Sequence, residues 1–246
     1  MTEPRNFQRL AGIAAILVTL FIAGNVITLF ASVNNNAGVF SDAALLLPLG
    51  AGAARLFHVS MVFDVLAYLL FAPVVIFCWS WLKRPGEGLV SIYTYCGLAY
   101  SLLGSLGAVI VDAVIPRMMV DYASVSSAQQ ETLKMLSRYF YLAVAHGVWN
   151  PLEVLMVSIW FLMVGSLLRR EKRGLGILAQ VIGCLGLLDP LGWILQSDVI
   201  LNIGGLGTVL IPVWMAWFGI HLLRSRDVRP SLSGSWHAGQ TETHVR

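Results

Sequence analysis

The stretch AHGVWNPLE, residues 145–153, places a histidine, an asparagine, a proline and a carboxylate inside a long apolar run. His146, Asn150 and Glu153 are spaced i, i+4, i+7, which on an α-helix puts them on one stripe, and Tyr139 falls on the same stripe. Pro151 is expected to leave the Gly147 carbonyl without its usual donor and to open a kink beside the stripe. A second interrupted stretch, LLDPLGWILQ, repeats the spacing with Asp189, Trp193 and Gln196, and Pro190 biases Asp189 away from helical geometry. In a third stretch Asp64 and Tyr68 are four apart. His58, six residues before Asp64, points about 120° away from it and reaches the same cavity only from its edge.

Four carboxylates (Asp64, Asp112, Glu153 and Asp189) and two histidines (His58 and His146) therefore fall within apolar runs. An ionised group at the centre of a bilayer costs about 2.5 kcal/mol or more, so each needs a partner, a proton or a watery cavity. Counted from the run ends at about 1.5 Å per residue, Asp64 and Glu153 lie near mid-membrane and Asp189 near or just outside the midplane. His58 and His146 lie in the outer half, and Asp112 lies close to the outer end of its helix.

Several chemistries suit this set. One is a pocket open to the outer side and lined by His146, Asn150, Glu153, Asp64, Asp189, Trp149 and Trp193. It would bind or transport a small ligand, with the carboxylates loading and releasing protons. The two proline breaks resemble the interrupted helices of transporters, although no internal repeat is visible. An alternative is a metal or haem site, with zinc held by histidine and carboxylate or haem held between His58 and His146. The spacing H-x-x-x-N-x-x-E is not an established metal signature, and no H-E-x-x-H is present. A membrane-embedded enzyme using His146 and Glu153 as an acid–base pair is the third, without a G-x-S-x-G or a phosphate-binding glycine loop to name a reaction. The same groups could instead only hydrogen-bond between helices and fix their packing.

The elements that must position these residues follow from composition. Of the 246 residues 57% are apolar and only 12% charged, about half the charged share of a soluble domain. With a mean hydropathy of +0.76 this implies an all-α, polytopic membrane bundle. A net charge of +3 is too small to suggest nucleic acid as a partner. Six apolar runs, at about 10–31, 56–82, 89–115, 139–168, 174–195 and 199–223, each meet the roughly 20 residues needed to cross the hydrocarbon core. They define one membrane domain, residues 1–229, followed by a Ser-, Gly- and Thr-rich tail, 230–246, expected to be disordered in the cytoplasm. The first run is longer than a signal-peptide core and is read as a retained helix. Cys78, Cys96 and Cys184 all lie in apolar runs and are expected to be buried thiols.

Basic residues give the orientation. With the N-terminus in the cytoplasm, inside segments hold Arg5, Arg9, Lys83, Arg84, Arg169, Arg170, Lys172, Arg173, Arg224, Arg226, Arg229 and Arg246. Outside segments hold Arg55, Arg117, Lys134 and Arg138. Both termini are then cytoplasmic, as an even number of spans requires. Trp79 and Trp81 fall where a cytoplasmic aromatic belt is expected. Of the outside segments, ALLLPLG is expected to dip onto the membrane or cap the bundle. Ser126 with Gln129, or Ser127 with Gln130, can open a helix that runs into the fourth span. Small-residue ladders, Gly97–Ser101–Ser105 and Gly104–Ala108–Asp112, suit close packing against a neighbouring helix or a second copy of the chain.

The segments QRLAGIAAILVTLFIAG, RLFHVSMVFDVLAYLL and LGTVLIPVWMAWFGIHLLR resemble a bacterial family of small multi-pass membrane proteins defined by a domain of unknown function. The likeness spans most of residues 8–224, with an R-x-A-G-type start and a Trp-rich last helix ending in basic residues. It implies the helical membrane fold and a location in the bacterial inner membrane, and carries no activity with it.

Overall fold

The computed structural model describes residues 3–40, 42–83 and 89–225, so the tail read from 230–246 lies outside the described residues. Its helices are α1 (Glu3–Ser32), α2 (Gly50–Leu82), α3 (Leu89–Asp121), α4 (Ser127–Leu142), α5 (Val154–Glu171), α6 (Arg173–Gly186), α7 (Leu188–Leu195) and α8 (Asp198–Arg224). Two short 3₁₀ turns, Ala37–Phe40 and Ala43–Leu49, precede α2, and a π-helical segment, Ala143–Glu153, joins α4 to α5. No strand occurs among the described residues. A helix satisfies its backbone polar groups internally, the condition hydrocarbon imposes on a spanning segment. Among the described residues six stretches are long and apolar enough to cross a membrane: Arg5–Ser32, Ala43–Leu82, Val90–Asp121, Ser127–Glu171, Arg173–Leu195 and Asp198–Arg224.

The spans close into a ring. α1 packs on α2, α2 on α3, α3 on α5 and the π segment, α5 on α6, α6 on α8, and α8 back on α1. α1 and α8 meet at the ends that carry the chain termini, where Gln8 Nε2 donates to the carbonyls of Leu222 (2.7 Å) and Ser225 (3.0 Å). That end is called proximal here and the opposite end distal.

Two apolar cores fill the ring. The proximal core stacks large aromatic rings, with Phe71 edge-on to Trp160 at 4.9 Å and Trp160 edge-on to Trp214 at 5.8 Å. Trp81 belongs to this core against Phe77 and Phe218, so it is not the belt residue the sequence suggests. Trp79 is half-buried, with the Lys83 ammonium 4.6 Å above its ring. The distal core gathers Leu46, Leu47, Phe57, Met61, Val111 and Ile115. Its lid is the Ala43–Leu49 turn, so ALLLPLG caps the bundle. Asp42 starts the lid by accepting from the Ala44 N–H (3.0 Å), and the Arg138 guanidinium grips the same carboxylate twice at 2.8 Å. Gly50, at φ +76°, turns the chain from lid to α2, a conformation that suits glycine.

α4 opens at Ser126, where Gln129 Oε1 accepts from the Ser126 N–H and hydroxyl, and the helical path continues to Glu171. Two local expectations change. Asp189 is helical, and the break falls earlier, at Leu187, because Pro190 in the first turn of α7 needs no N–H there. Cys78 and Cys96 are buried, but Cys184 is exposed on the outer face of α6.

Candidate functional site: a polar layer between two apolar cores

Between the two cores several helices each contribute a polar side chain. On α1, Asn25 stands between Ile22, packed on the proximal core, and Leu29, packed on the distal one. On α2, Asp64 and Tyr68 lie between Met61 and Phe71. On α3, Tyr100 closes the proximal core before Ala108 begins the distal one. Glu153 lies between Val144 and Val157, and Thr208 comes from α8.

Glu153 is 5% exposed and accepts a hydrogen bond from the Tyr68 hydroxyl at 2.7 Å. Tyr68 can reach it because Gly104 on α3 leaves room for the ring; a Cβ at that position would collide with it. Tyr100 stands edge-on to Tyr68 with centroids 5.2 Å apart, and Phe71 packs edge-on to Tyr100 at 4.8 Å. The Asn25 amide is held by Ser60, donating to its carbonyl (2.9 Å) and hydroxyl (3.1 Å).

Two cavities meet at this layer. The distal one, about 180 Å³, lies under the lid and is bordered by Val39, Leu46, Met61, Tyr141 and Trp149. The other, about 430 Å³, contains Tyr68, Tyr100 and Glu153 and extends to Thr208 and Pro212. Asp64 and Asn25 border both, so they form the partition between them. Among the described residues, neither cavity is bordered by a Lys, Arg or His.

The residues singled out by spacing separate into groups. Asp64 and Glu153 come together at the larger cavity, and Trp149 joins Asp64 at the distal one. Trp149 is seated against Gly107, and its buried indole N–H has no partner among the described residues. Asp189 is 7% exposed, packed against Gly204 of α8 and within electrostatic reach of Glu153, but it borders neither cavity. Its Oδ1 has no hydrogen-bond partner among the described residues. Trp193 is 46% exposed at the distal end, beside Gln196 and Asp198, and is not brought to the polar layer. The side chains of His146 and Asn150 lie outside the described residues.

The stripe itself changes character. Residues 143–153 form a π-helix, and the Val154 N–H bonds to the Trp149 carbonyl, five residues back. With i→i+5 bonding each turn holds more residues than the α-helix's 3.6, so positions seven apart do not return to one face. The acceptor opposite the missing N–H of Pro151 becomes the carbonyl of His146 rather than that of Gly147. Tyr139, which α-helical phase adds to the stripe, is 69% exposed.

His58 turns away from Asp64, as its phase suggests, and pairs with α3: its Nδ1 stands 2.8 Å from both oxygens of the Asp112 carboxylate. Among the described residues no group of three or more His, Cys, Asp or Glu side chains converges as a metal site. The described partner of Glu153 is a tyrosine, which provides a proton-sharing contact.

Asn25, Tyr100 and Thr208 belong to the layer without standing out by spacing. Asn25 had one legible signal, as an amide in the middle of the first apolar run. Tyr100 and Thr208 had none, since both residue types are common in membrane helices. Comparison of the chain with protein-family models, with curated proteins and with solved structures gives no match.

Proposed function

We propose that the protein is a multi-pass protein of the bacterial inner membrane that binds or transports a small ligand at this layer, coupled to protons on Glu153 and Asp64. The observation that carries the reading is the placement of two carboxyls beside a 430 Å³ cavity that, among the described residues, no cationic side chain borders. An ionised carboxyl in hydrocarbon costs about 2.5–3.5 kcal/mol. Among the described residues no cation offsets that, so charge on Glu153 is balanced by a proton or by an arriving ligand. Asp64, bordering both cavities, links the distal cavity to the inner one.

The excess of Lys and Arg at the proximal end supports cytoplasmic termini and a distal lid facing outward. In a cysteine-replaced background, a membrane-impermeant maleimide should label a cysteine at Ala128 in intact cells and spare one at Ser225. The reverse pattern would invert the orientation.

The coupling is tested in proteoliposomes loaded with a pH-sensitive dye and challenged with organic cations, zwitterions and anions in turn. At least one class should drive proton movement that Glu153→Gln abolishes. Proton movement of equal size in Glu153→Gln, or none with any class, contradicts the reading.

A further inference from the structure

The larger cavity has a mouth. α1 and α8 are joined tightly from Gln8–Leu222 to Thr19, whose hydroxyl donates to the Pro212 carbonyl at 3.1 Å. Between these contacts Gly12 and Gly219 let the two backbones approach closely. The cavity begins immediately beyond, bordered by Ile22 and Val26 on α1 and by Thr208 and Val209 on α8. Val26 is 46% and Val209 66% exposed, so residues that border the cavity also form the outer face of the bundle. That face lies within two apolar spans, six or more residues from the nearer end of each, at the depth of the hydrocarbon. The mouth therefore opens sideways into lipid.

The cavity's chemistry favours a cation over an anion. Ionised Glu153 and Asp64 would repel an anion, and among the described residues no basic side chain borders the cavity to hold one. The rings of Tyr68, Tyr100 and Phe71 border the cavity, and aromatic rings attract cations. Pro212 inside α8 leaves the Thr208 carbonyl without its helical donor, adding an acceptor at the mouth.

We propose that the larger cavity takes a lipophilic organic cation directly from the bilayer through the gap between α1 and α8. This rests on the proton-linked pocket proposed above and names its substrate class. The exchange balances: the cation enters, the Glu153 O–H bond breaks, the carboxylate pairs with the cation and the proton leaves. No electron is transferred.

The test uses the full chain in lipid nanodiscs and radiolabelled tetraphenylphosphonium, with uptake by empty nanodiscs subtracted. Tetramethylammonium, equally charged but without apolar bulk, is the comparator. Saturable tetraphenylphosphonium binding is expected, about tenfold or more weaker in Glu153→Gln and at least about tenfold tighter than tetramethylammonium. Val209→Trp, at an already exposed position, should slow association while leaving thermal unfolding in place; Val26→Trp gives an independent obstruction on the other wall. Absence of saturable binding, equal affinity for tetramethylammonium, or normal association in both tryptophan variants overturns the proposal. If a different ligand class drives proton movement that depends on Glu153, the proton-linked pocket stands and only the lipophilic cation is wrong. If no class does, both fail.

Discussion

The Tyr68 hydroxyl donates to Glu153 Oε1 at 2.7 Å, joining the second span to the junction of the π segment and α5. The bond satisfies a carboxyl that is 5% exposed. A buried acceptor left without its donor costs about 1–3 kcal/mol, whereas a pair that keeps its bond costs less. Tyr68→Phe should therefore lower unfolding free energy in detergent by about that amount. Glu153→Gln, whose amide oxygen still accepts, should lower it by less. The opposite ranking in denaturant titrations would show that this bond is not what holds the layer together.

Gly104 sets the position of that tyrosine. A Cβ there would meet the Tyr68 ring, and the ring is flanked by Tyr100, so it cannot simply step aside. Overpacking of this kind costs about 1–3 kcal/mol. Gly104→Ala should lower the melting temperature and weaken ligand-driven proton movement together. A Gly104→Ala protein with wild-type melting and wild-type proton movement would mean that the close seat is not needed.

The lid carries a pH dependence of its own. The Arg138 guanidinium, by its hydrogen bonds to Asp42, holds that carboxyl below its usual value of 3.8. A group with a lowered folded-state pKa stabilises above its unfolded value, and the stabilisation is lost as pH falls through the folded one. Hydrogen exchange should show the amides of Ala43–Leu49 protected from neutral pH down to about 3.8 and less protected below it. In Arg138→Gln the protection should already be lower at neutral pH and lack that acid step. An unchanged acid step in the variant would place the dependence elsewhere.

The sequence makes the carboxyls legible because charge in an apolar run is costly enough to need a reason. Asp64 and Glu153 stand out on that ground and do share a cavity. The stripe through His146, Asn150 and Glu153 assumes α-helical phase, and a proline in the run does not reveal that the bonding will widen to i→i+5. Trp193 follows Asp189 at a helical spacing, but α7 is only eight residues long and ends at the surface, so the tryptophan leaves the bundle. The glycines of α3 read as generic packing; that Gly97, Gly104 and Gly107 each receive an aromatic ring depends on which helices become neighbours. That Val26 and Val209 border one cavity is likewise a property of two spans that are distant in sequence.

The central claim is that Glu153 exchanges a proton with the larger cavity. Infrared difference spectroscopy of the full chain in nanodiscs, stepped between two pH values, observes the carboxyl C=O stretch directly. A protonated-carboxyl band should change with pH, disappear in Glu153→Gln and shift in Tyr68→Phe, where its hydrogen-bond donor is gone. A spectrum with no carboxyl change, or one that Glu153→Gln leaves intact, would contradict the account.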